Sequence, residues 1–262
     1  MMVSRSGFYK YLKISKTPDL LLMVIMKSIA QKSRFSYGKR RMSQALKQHG
    51  YNLGTYATRS FMIEFDIRCK RKKTYRHWGN NQHTQPASDN ILKRKFVVKK
   101  PNEVWVADIS TIKTAQGAVY VAAILDLFSR KIVGWAIEES MKENITIDAL
   151  NMALKRRSPV SKVLHHSDQG SQYRSFGYKS LLNKVGFISS MNRKGNCLDN
   201  AVMERFWSSL KRERMSLKTY TTKNEAKLDA IDYIEHFYNT DRLHSFLGYC
   251  SPVQFEQTAA LK

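Results

Sequence analysis

The fold of this chain is decided by the stretch VWVADISTIKTAQGAVYVAAILDLFSRKIVGWAIEE, residues 104–139. It holds three segments rich in β-branched and aromatic residues, separated by short turns, and this composition is typical of strands. We therefore expect three consecutive strands at 104–111, 119–128 and 131–139. Strands of this kind must bury an apolar face, so the sequence around them has to supply a covering layer.

Beyond these strands, helical and strand patterns alternate. The expected elements are a helix at 144–157, a strand at 162–168, a helix at 178–186, a strand at 187–192 and a helix at 199–215. Asn144 is the expected cap of the first of these helices, and Asp199 or Asn200 is the expected cap of the last. The order β-β-β-α-β-α-β-α predicts an α/β fold in which a mixed sheet is flanked by helices.

Charge is distributed unevenly along the 262 residues, which carry a net charge of +24. Residues 1–100 contain 23 Lys and Arg against 4 Asp and Glu, whereas residues 101–262 contain 22 against 17. Because such an excess of like charge repels itself unless a polyanion neutralises it, nucleic acid is the expected partner. A basic face that serves only solubility is the alternative.

The overall composition excludes several classes of protein. A hydrophobic content of 42% excludes a disordered tail, and three cysteines without a C-x-x-C pair exclude a disulfide scaffold and argue against a cysteine zinc site. No apolar run reaches the length that a bilayer requires, and the polar, basic start does not resemble a signal peptide. We therefore expect a soluble, cytoplasmic protein.

The basic front of the chain predicts an all-α region. Residues 19–33 have a broad apolar helical pattern, a second helical pattern ends at Gly50, and Thr55 is the expected cap of a third helix. Two short helices joined by a glycine-containing turn are typical of a helix-turn-helix, although any helical hairpin has this pattern. The expected apolar positions of the pair are Met42, Ala45, Leu46, His49, Tyr56, Phe61, Met62 and Phe65. The expected DNA contacts are Lys39, Arg40, Arg41, Arg59, Lys70, Arg71, Lys72 and Lys73.

Three carboxylates stand out by their positions. Asp108 interrupts an apolar strand, Asp168 ends the fourth strand, and Glu204 follows on the late helix after 35 intervening residues. Convergent carboxylates without a His or Cys cluster favour Mg²⁺ or Mn²⁺, and two such ions can activate an attacking oxygen and stabilise a leaving one in phosphoryl transfer. Each carboxylate taken singly could instead be structural, and that is the role we expect for Asp126.

The late helix provides a geometric criterion for this site. Asn200 and Glu204 are four residues apart, and Lys211 follows seven residues later, so the three share one face. A different stripe of apolar residues suits the core. Its members are Val202, Phe206 and Leu210. The alternative is an ordinary surface helix.

Two neighbouring histidines precede Asp168. Because adjacent residues on a strand point to opposite faces, His165 and His166 are not expected to ligate one metal ion together. The candidate metal ligands therefore remain the carboxylates.

Several strings across nearly the whole chain are similar to those of one family. They are YGKRRM, VWVADISTIKT, YVAAILDLFSRKIVGWAI, LHHSDQGSQYRS, SMNRKGNCLDNAVMERFWSSLKRE and YIEHFYNTDRLHSFLGYCSPVQFE. On these motifs the chain resembles the transposases of bacterial insertion sequences, specifically the insertion sequence 3 family, which are relatives of retroviral integrases. The resemblance implies an RNase H-like fold. It also places the family's Asp-Asp-35-Glu signature on Asp108, Asp168 and Glu204, with a basic residue seven positions later at Lys211.

The resemblance further implies an activity and its partners. Water attacks a phosphate at an element end and frees a 3′-hydroxyl, which attacks another phosphodiester, and the first joining links the two element ends through a circular intermediate. Two Mg²⁺ ions are the implied cofactors, and Mn²⁺ is their expected substitute. The implied partners are double-stranded DNA with the terminal inverted repeats, target DNA, further copies of the chain on that DNA, and a first-frame product or frameshift fusion. The expected location is the bacterial cytoplasm, on the nucleoid.

This resemblance organises the chain into domains. We expect a basic helix-turn-helix DNA-binding region at 1–75, a linker at 76–95 that lacks periodicity, and an integrase-type catalytic core with a C-terminal helical extension at 96–259. The zinc module that opens retroviral integrases has no counterpart here. The opening MMVSRSGFYKYL resembles an interior stretch of the family's second-frame product, so a first-frame segment is expected ahead of it in the active enzyme.

Rival functions stay open at this point. One is a plain Mg²⁺ nuclease with the same fold, which would cleave DNA without joining it. The other is a DNA-binding regulator, or a truncated inactive copy, in which the catalytic domain has no function.

Overall fold

The computed structural model describes residues 20–70, 87–193 and 197–261, and it divides the chain into a compact unit that ends at Cys69 and a second that begins at Lys70. The described part of the first unit contains α1 (Leu20–Lys32), α2 (Lys39–Gln48) and α3 (Thr55–Glu64). No helix in these described ranges is long and apolar enough to cross a membrane.

The helices of the first unit pack through a small apolar core. Met26, Met42 and Leu46 are fully buried, and α2 contacts both α1 and α3. The turn between α2 and α3 contains Gly50 at a φ of +85°, a conformation that glycine adopts without steric penalty. The hydroxyl of Ser43 on α2 donates to the carbonyl oxygen of Leu53 in this turn, at 2.6 Å. The predicted helix pair is therefore present.

The prediction for α3 was right for Met62 and Phe65, which are buried, but wrong for its first turn. Thr55 is its first helical residue rather than its cap, since Gly54 occupies the cap position in an extended conformation. Tyr56, expected in the core, is 81% exposed, whereas Thr58 is fully buried. The hydroxyl of Thr58 donates to the carbonyl oxygen of Gly54 at 2.9 Å, so a polar residue is satisfied within the core by its own helix. His49, also expected to be apolar-facing, is exposed.

A five-stranded mixed sheet forms the centre of the second unit, as predicted. Its strands are β1 (Val104–Thr114), β2 (Gly117–Asp126), β3 (Ile132–Glu138), β4 (Leu164–Ser167) and β5 (Ile188–Met191). The order across the sheet is β3-β2-β1-β4-β5. The first three strands pair antiparallel, whereas β4 pairs parallel with both β1 and β5. The first three strands thus form the meander that residues 104–139 predicted.

Helices accompany this sheet in the predicted order, with one short addition, α5. They are α4 (Asn144–Arg157), α5 (Ser171–Arg174), α6 (Phe176–Lys184), α7 (Ala201–Leu210), α8 (Lys223–Asp232) and α9 (Pro252–Ala260). A 3₁₀ turn, Cys197–Asn200, precedes α7, and a π-helical segment, Lys211–Met215, continues it. Asn144 is the first residue of α4 and Glu143 occupies the cap position, so that cap prediction was wrong. Asn200 occupies the cap position of α7, as predicted, although its side chain makes no capping hydrogen bond.

The main core lies between the sheet and α4 and α6. Its largest members include Trp105, Tyr173 and Tyr178, which are almost fully buried. Apolar side chains from β1, β2, β3 and β5 complete this cluster. This core explains why the central strands are apolar at nearly every position, and it fixes the sheet that presents Asp108.

Asp126 is a buried carboxylate at the end of β2, and its contacts are structural. Its two oxygens accept hydrogen bonds from the backbone N–H groups of Asn102 and Phe128, each at 2.9 Å. The guanidinium of Arg157 approaches it at 3.6 Å. Burial raises the pKa of Asp126, and these three donors oppose that effect.

Residues 87–95, the described part of the segment predicted as a linker, pack against the second unit. The backbone N–H of Ile91 donates to the hydroxyl of Ser190 on β5 at 2.9 Å, and Leu92 is 2% exposed. Residues 76–86 lie outside the described part of the chain. The described residues of the expected linker are therefore anchored, although their composition is polar.

Asp199 connects this anchored segment to the start of α7. Its carboxylate is fully buried and accepts hydrogen bonds from Asn90 at 2.7 Å and from Arg94 at 2.8 Å. Arg193 adds a bidentate pair at 3.1 Å to both oxygens. These bonds hold the pKa of Asp199 well below its ordinary value. Asp199 therefore ties two distant segments together and does not cap α7.

Candidate active site

Asp108 lies in the middle of β1, and both of its carboxylate oxygens have a protein donor. The backbone N–H of Ile109 donates to Oδ1 at 2.9 Å, and the indole N–H of Trp207 on α7 donates to Oδ2 at 3.1 Å. Burial, followed by the nearby charge of Asp168, raises the pKa of Asp108 well above its ordinary value. A smaller contribution comes from Glu204. The ionised form of Asp108 therefore requires a nearby positive charge.

Asp168 follows directly after β4, the strand that pairs with β1 on the side away from β2. Its Oδ1 accepts a hydrogen bond from the backbone N–H of Gly170 at 2.9 Å. A β-carbon at Gly170 would lie 2.9 Å from the same oxygen, so a side chain there would require the carboxylate of Asp168 to shift. Adjacent parallel strands thus bring Asp168 beside Asp108, as the sequence predicted.

Glu204 reaches this region from α7, which packs against β1. The start of the helix is fastened to that strand, because the side-chain amide of Asn200 donates to the carbonyl oxygen of Ala107 at 3.1 Å. Asn200 is 3% exposed, and its own amide oxygen is buried without a hydrogen-bond partner. Asp108 is therefore an electrostatic neighbour of both other predicted carboxylates, Asp168 after the adjacent strand and Glu204 on the packed helix.

The donor set fits a hard divalent cation. Three carboxylates supply only oxygen ligands, the type that Mg²⁺ and Mn²⁺ prefer. The unfavourable burial of Asp108 beside Asp168 is the effect that a bound cation would reverse. Within the described residues, no three His, Cys, Asp or Glu side chains already form a closed metal cluster.

The faces of α7 differ in part from the prediction. Phe206 and Leu210 are buried as expected, but Val202 is only half-buried. Met203 and Trp207 occupy the core in its place, at 0% and 6% exposure. The helix is therefore rotated toward the side that carries Trp207, a residue that the sequence analysis did not single out. A Trp three positions after a candidate ligand was the available signal, because a buried indole N–H usually finds an acceptor.

Lys211 stands at the point where α7 changes into its π-helical segment. It is half-buried, and burial lowers the pKa of its ammonium, while the charge of Asp108 acts in the opposite direction. The structure thus brings a basic residue within electrostatic reach of Asp108. The π-helical segment begins after Leu210 and ends the helix that carries Glu204.

The two histidines on β4 serve the core. The Nε2 of His165 lies 3.0 Å from the hydroxyl of Tyr178, whereas His166 contacts Ser190 and Asn192 through its two ring nitrogens, at 2.8 and 2.7 Å. Burial lowers the pKa of His165 to about 3, with a smaller contribution from the charge of His166. Both rings therefore have protein partners, on different neighbours.

The basic residues predicted to bind DNA in the front of the chain lie on or near α2 and α3. Arg40 and Arg59 are exposed, Lys39 is half-buried with its ammonium 5.1 Å from the ring centre of Tyr56, and Arg41 lies 5.7 Å from the ring of Tyr37. Lys70 is exposed and begins the second unit. Arg71, Lys72 and Lys73 lie outside the described residues.

Comparisons with known proteins identify the family. Residues 98–197 and 204–259 match two family models, each described as an integrase core domain. Transposase InsF for insertion sequence IS3A of Escherichia coli strain K12 is 34% identical over 86% of this chain and 78% of its own length. The chain belongs to the insertion sequence 3 family of transposases. It is a DNA transposase of the polynucleotidyl transferase class, as the motifs predicted.

A further relative is similar to this chain over nearly its whole given length. An insertion element IS600 protein of 31 kDa from Shigella sonnei, described as uncharacterized, is 38% identical over 97% of this chain and 95% of its own. A chain in the cryo-EM structure of the simian T-cell lymphotropic virus intasome in complex with PP2A regulatory subunit B56 gamma has a TM-score of 0.51 at 18% identity, covering 87% of this chain and 73% of that one. The latter likeness concerns the fold alone, and it confirms the RNase H-like architecture.

Proposed function

We propose that Asp108, Asp168 and Glu204 are the catalytic carboxylates of this transposase and that they hold two Mg²⁺ ions, for which Mn²⁺ can substitute. The observation that carries the proposal is that β1, β4 and α7 bring the half-buried Asp108 within electrostatic reach of Asp168 and Glu204. Carboxylates forced together in a buried place are unfavourable in isolation and become favourable around cations. The family membership supplies the reaction class that needs such ions.

The residues of the chain prepare the site for in-line attack on a DNA phosphate. When bound, the cations would supply Lewis acidity and neutralise charge at the reacting phosphate. Asp108 is oriented by Ile109 and Trp207, and Asp168 by the backbone of Gly170. In cleavage, a water oxygen bonds to phosphorus and the 3′-oxygen leaves. In joining, that 3′-hydroxyl bonds to another phosphorus and displaces its 3′-oxygen, so every step exchanges one P–O bond for another.

DNA contacts near the cut are proposed for the face of α7. Lys211 lies within electrostatic reach of Asp108, so a backbone phosphate that approaches the carboxylates also approaches this ammonium. For Asn200 a DNA contact stays a prediction. In this structure its side chain is buried and fastens α7 to β1, so its effect on DNA would be exerted through the position of Glu204.

The remaining DNA contacts are proposed for the basic front of the chain. Phosphate contacts by its Lys and Arg side chains would position the terminal inverted repeats and the target DNA. The side chains proposed to make these phosphate contacts are Lys39, Arg40, Arg41, Arg59, Lys70, Arg71, Lys72 and Lys73. We further propose that several copies assemble on the two element ends, that a first-frame product or frameshift fusion completes the enzyme, and that it acts on nucleoid DNA in the bacterial cytoplasm.

Substitution of single carboxylates tests the proposal. Asp108→Asn, Asp168→Asn and Glu204→Gln preserve shape and remove the charge that would hold a cation. Each should reduce Mg²⁺-dependent cleavage and joining, measured on DNA that carries both element ends, by at least about a thousandfold, since the site contributes most of the charge stabilisation. DNA affinity should change less than about threefold. The assay includes the frameshift fusion as well as the chain alone.

The matched control is Asp148→Asn. Asp148 lies on α4 and is exposed, so its substitution removes one negative charge at a site remote from β1. It is preferable to Asp126→Asn, because an amide cannot accept both backbone hydrogen bonds that Asp126 accepts. Full joining by any of the three carboxylate variants would overturn the assignment. Cleavage without joining by the wild type would favour the nuclease, and DNA binding without either reaction would favour the regulator or inactive copy.

A further inference from the structure

Trp207 brings a hydrogen-bond donor from the helix of Glu204 to the carboxylate of Asp108. Its indole N–H lies 3.1 Å from Asp108 Oδ2, across 99 residues of sequence. The ring is 6% exposed and packs at 4.6 Å, tilted, against Phe206. One helix therefore supplies both a candidate ligand and a donor to the ligand on the neighbouring strand.

The two donors to Asp108 leave capacity for a cation. A carboxylate has two lone-pair sites on each oxygen, and here each oxygen accepts one hydrogen bond from the protein, from Ile109 and Trp207 respectively. With both oxygens tied, the carboxyl group cannot rotate freely about its side-chain bond. The remaining lone pairs therefore face a defined direction before any cation arrives.

An indole suits this task for a chemical reason. Its N–H can only donate, it does not titrate, and it cannot itself act as a metal ligand in the way that a carboxylate or imidazole does. A backbone donor such as Ile109 moves with the strand, whereas Trp207 moves with α7. The indole bond thus couples the orientation of Asp108 to the position of the helix that carries Glu204.

We propose that Trp207 is a positioning residue that orients Asp108 for divalent cation binding. The inference rests on the proposed function, in that Asp108 is taken to hold the cation. If Trp207 were purely structural, its ring would fill the core and its bond to Asp108 would only satisfy the buried N–H, with no effect on cation binding. The two roles differ in outcome, because a Phe of similar shape would replace a packing residue but not a donor.

Binding of Mn²⁺ to the full chain without DNA distinguishes these roles. Trp207→Phe removes the N–H and keeps most of the ring volume, and Mn²⁺ affinity is measured by calorimetry and by the cation-induced rise in Tm. We expect the dissociation constant to rise about tenfold or more, the usual effect of removing a partner of a metal ligand. The matched control is Trp135→Phe, since the indole N–H of Trp135 also donates to a carboxylate, that of Glu235, in the same unit. That variant should bind Mn²⁺ like the wild type.

A second substitution keeps the test informative if Trp207→Phe unfolds easily. Trp207→His, studied at pH 8, retains a ring N–H that can donate, although it fills less of the core. All proteins are measured at a temperature about 15 °C below the lowest Tm of the set. Positioning predicts that the His variant binds Mn²⁺ more tightly than the Phe variant while melting at a lower temperature. If the His variant both melted at a lower temperature and bound Mn²⁺ more weakly than the Phe variant, affinity would simply follow stability, and the inference would be overturned.

Asp108→Asn, measured in parallel, separates this inference from the proposed function. Wild-type Mn²⁺ affinity in Asp108→Asn would overturn the metal assignment itself. Loss of affinity in Asp108→Asn together with wild-type affinity in Trp207→Phe would overturn only the role of Trp207. Loss in both, with no further loss when the two substitutions are combined, would support a bond that acts through Asp108.

Discussion

Gly134 on β3 lies against the backbone of α4 so closely that a β-carbon there would stand 2.2 Å from the carbonyl oxygen of Ala149. The side chain and backbone nitrogen of Ala153 are also within 2.8 Å of that position. The helix can approach the sheet this closely only because the strand has no side chain at this point. This contact sets the distance between α4 and the antiparallel strands β1, β2 and β3 that it covers.

Gly134→Ala is therefore expected to destabilise the second unit by about 3 kcal/mol or more, because the clash is with backbone, which cannot rotate away. The measurement is the free energy of unfolding in urea, followed by circular dichroism. Gly177→Ala is the control: its β-carbon would meet only flexible side-chain ends, those of Ile147 at 3.4 Å and of Glu143 at 3.6 Å, and α6 should gain up to about 1 kcal/mol from the replacement. Equal stabilities of the two variants would contradict the close packing of α4.

Phe206→Ala is expected to destabilise the protein by about 3–5 kcal/mol, since the ring is 1% exposed and contacts Tyr238 edge to face at 4.8 Å. Lys211→Ala, on the same helix, should change stability little and should weaken DNA cleavage instead. Thermal unfolding and cleavage assays on both variants give the comparison. A neutral Phe206→Ala would mean that α7 has a different rotation from the one described.

Acidification should destabilise the protein through His165. Burial lowers its pKa to about 3, whereas an unfolded His titrates near 6.5, so between these values the unfolded state binds more protons. Stability due to this group is therefore present above about pH 6.5 and falls as the pH drops, by up to about 1.4 kcal/mol per pH unit.

The check compares the wild type with His165→Gln in urea between pH 5 and pH 6.5. The variant should have the shallower loss of stability with acid, and the difference between the two slopes isolates His165. Groups with raised pKa, Asp108 and Asp126, contribute to both slopes alike. Parallel slopes would show that His165 is not held neutral in the core.

DNA affinity should depend on salt mainly through the front of the chain. Arg40→Gln combined with Arg59→Gln removes two exposed charges of the α2–α3 pair and should reduce the slope of log K against log salt by about 0.9 for each DNA phosphate that the variant no longer neutralises. The control pair is Lys155→Gln with Lys184→Gln, two exposed lysines of the second unit. An equal fall in slope for the control pair would contradict the assignment of DNA binding to the front.

Local pattern was sufficient for the strands and for the acidic candidates. An Asp within an apolar strand and another at a strand end are visible in one dimension, because alternation and burial impose a residue type at each position. Only the structure shows that β4 pairs with β1 and so places Asp168 on the strand next to Asp108. The rotation of α7 was harder to predict, since Val202 and Met203 are equally apolar and only packing against β1 decides that Met203 is the buried one.

Polar contacts between residues far apart in the chain could not be predicted from the sequence. Residues 87–95 have the composition of a linker, yet Asn90 and Arg94 find their partner at Asp199, more than 100 residues away. Nothing in the local sequence distinguishes an Asn that faces water from one that reaches a buried carboxylate. The same holds for Trp207, whose acceptor Asp108 lies on another element.

The sequence by itself predicted the sheet, its flanking helices and three candidate carboxylates, because these depend on periodicity and on the free energy of burying each residue type. Only the tertiary structure decided that the indole of Trp207 meets Asp108, that Asp199 anchors the preceding segment, and that α7 turns Met203 toward the core. The physical reason is that hydrogen bonds between distant elements depend on distances of a few tenths of an ångström. Such distances are set by how whole layers pack against each other, as they do where α4 meets Gly134.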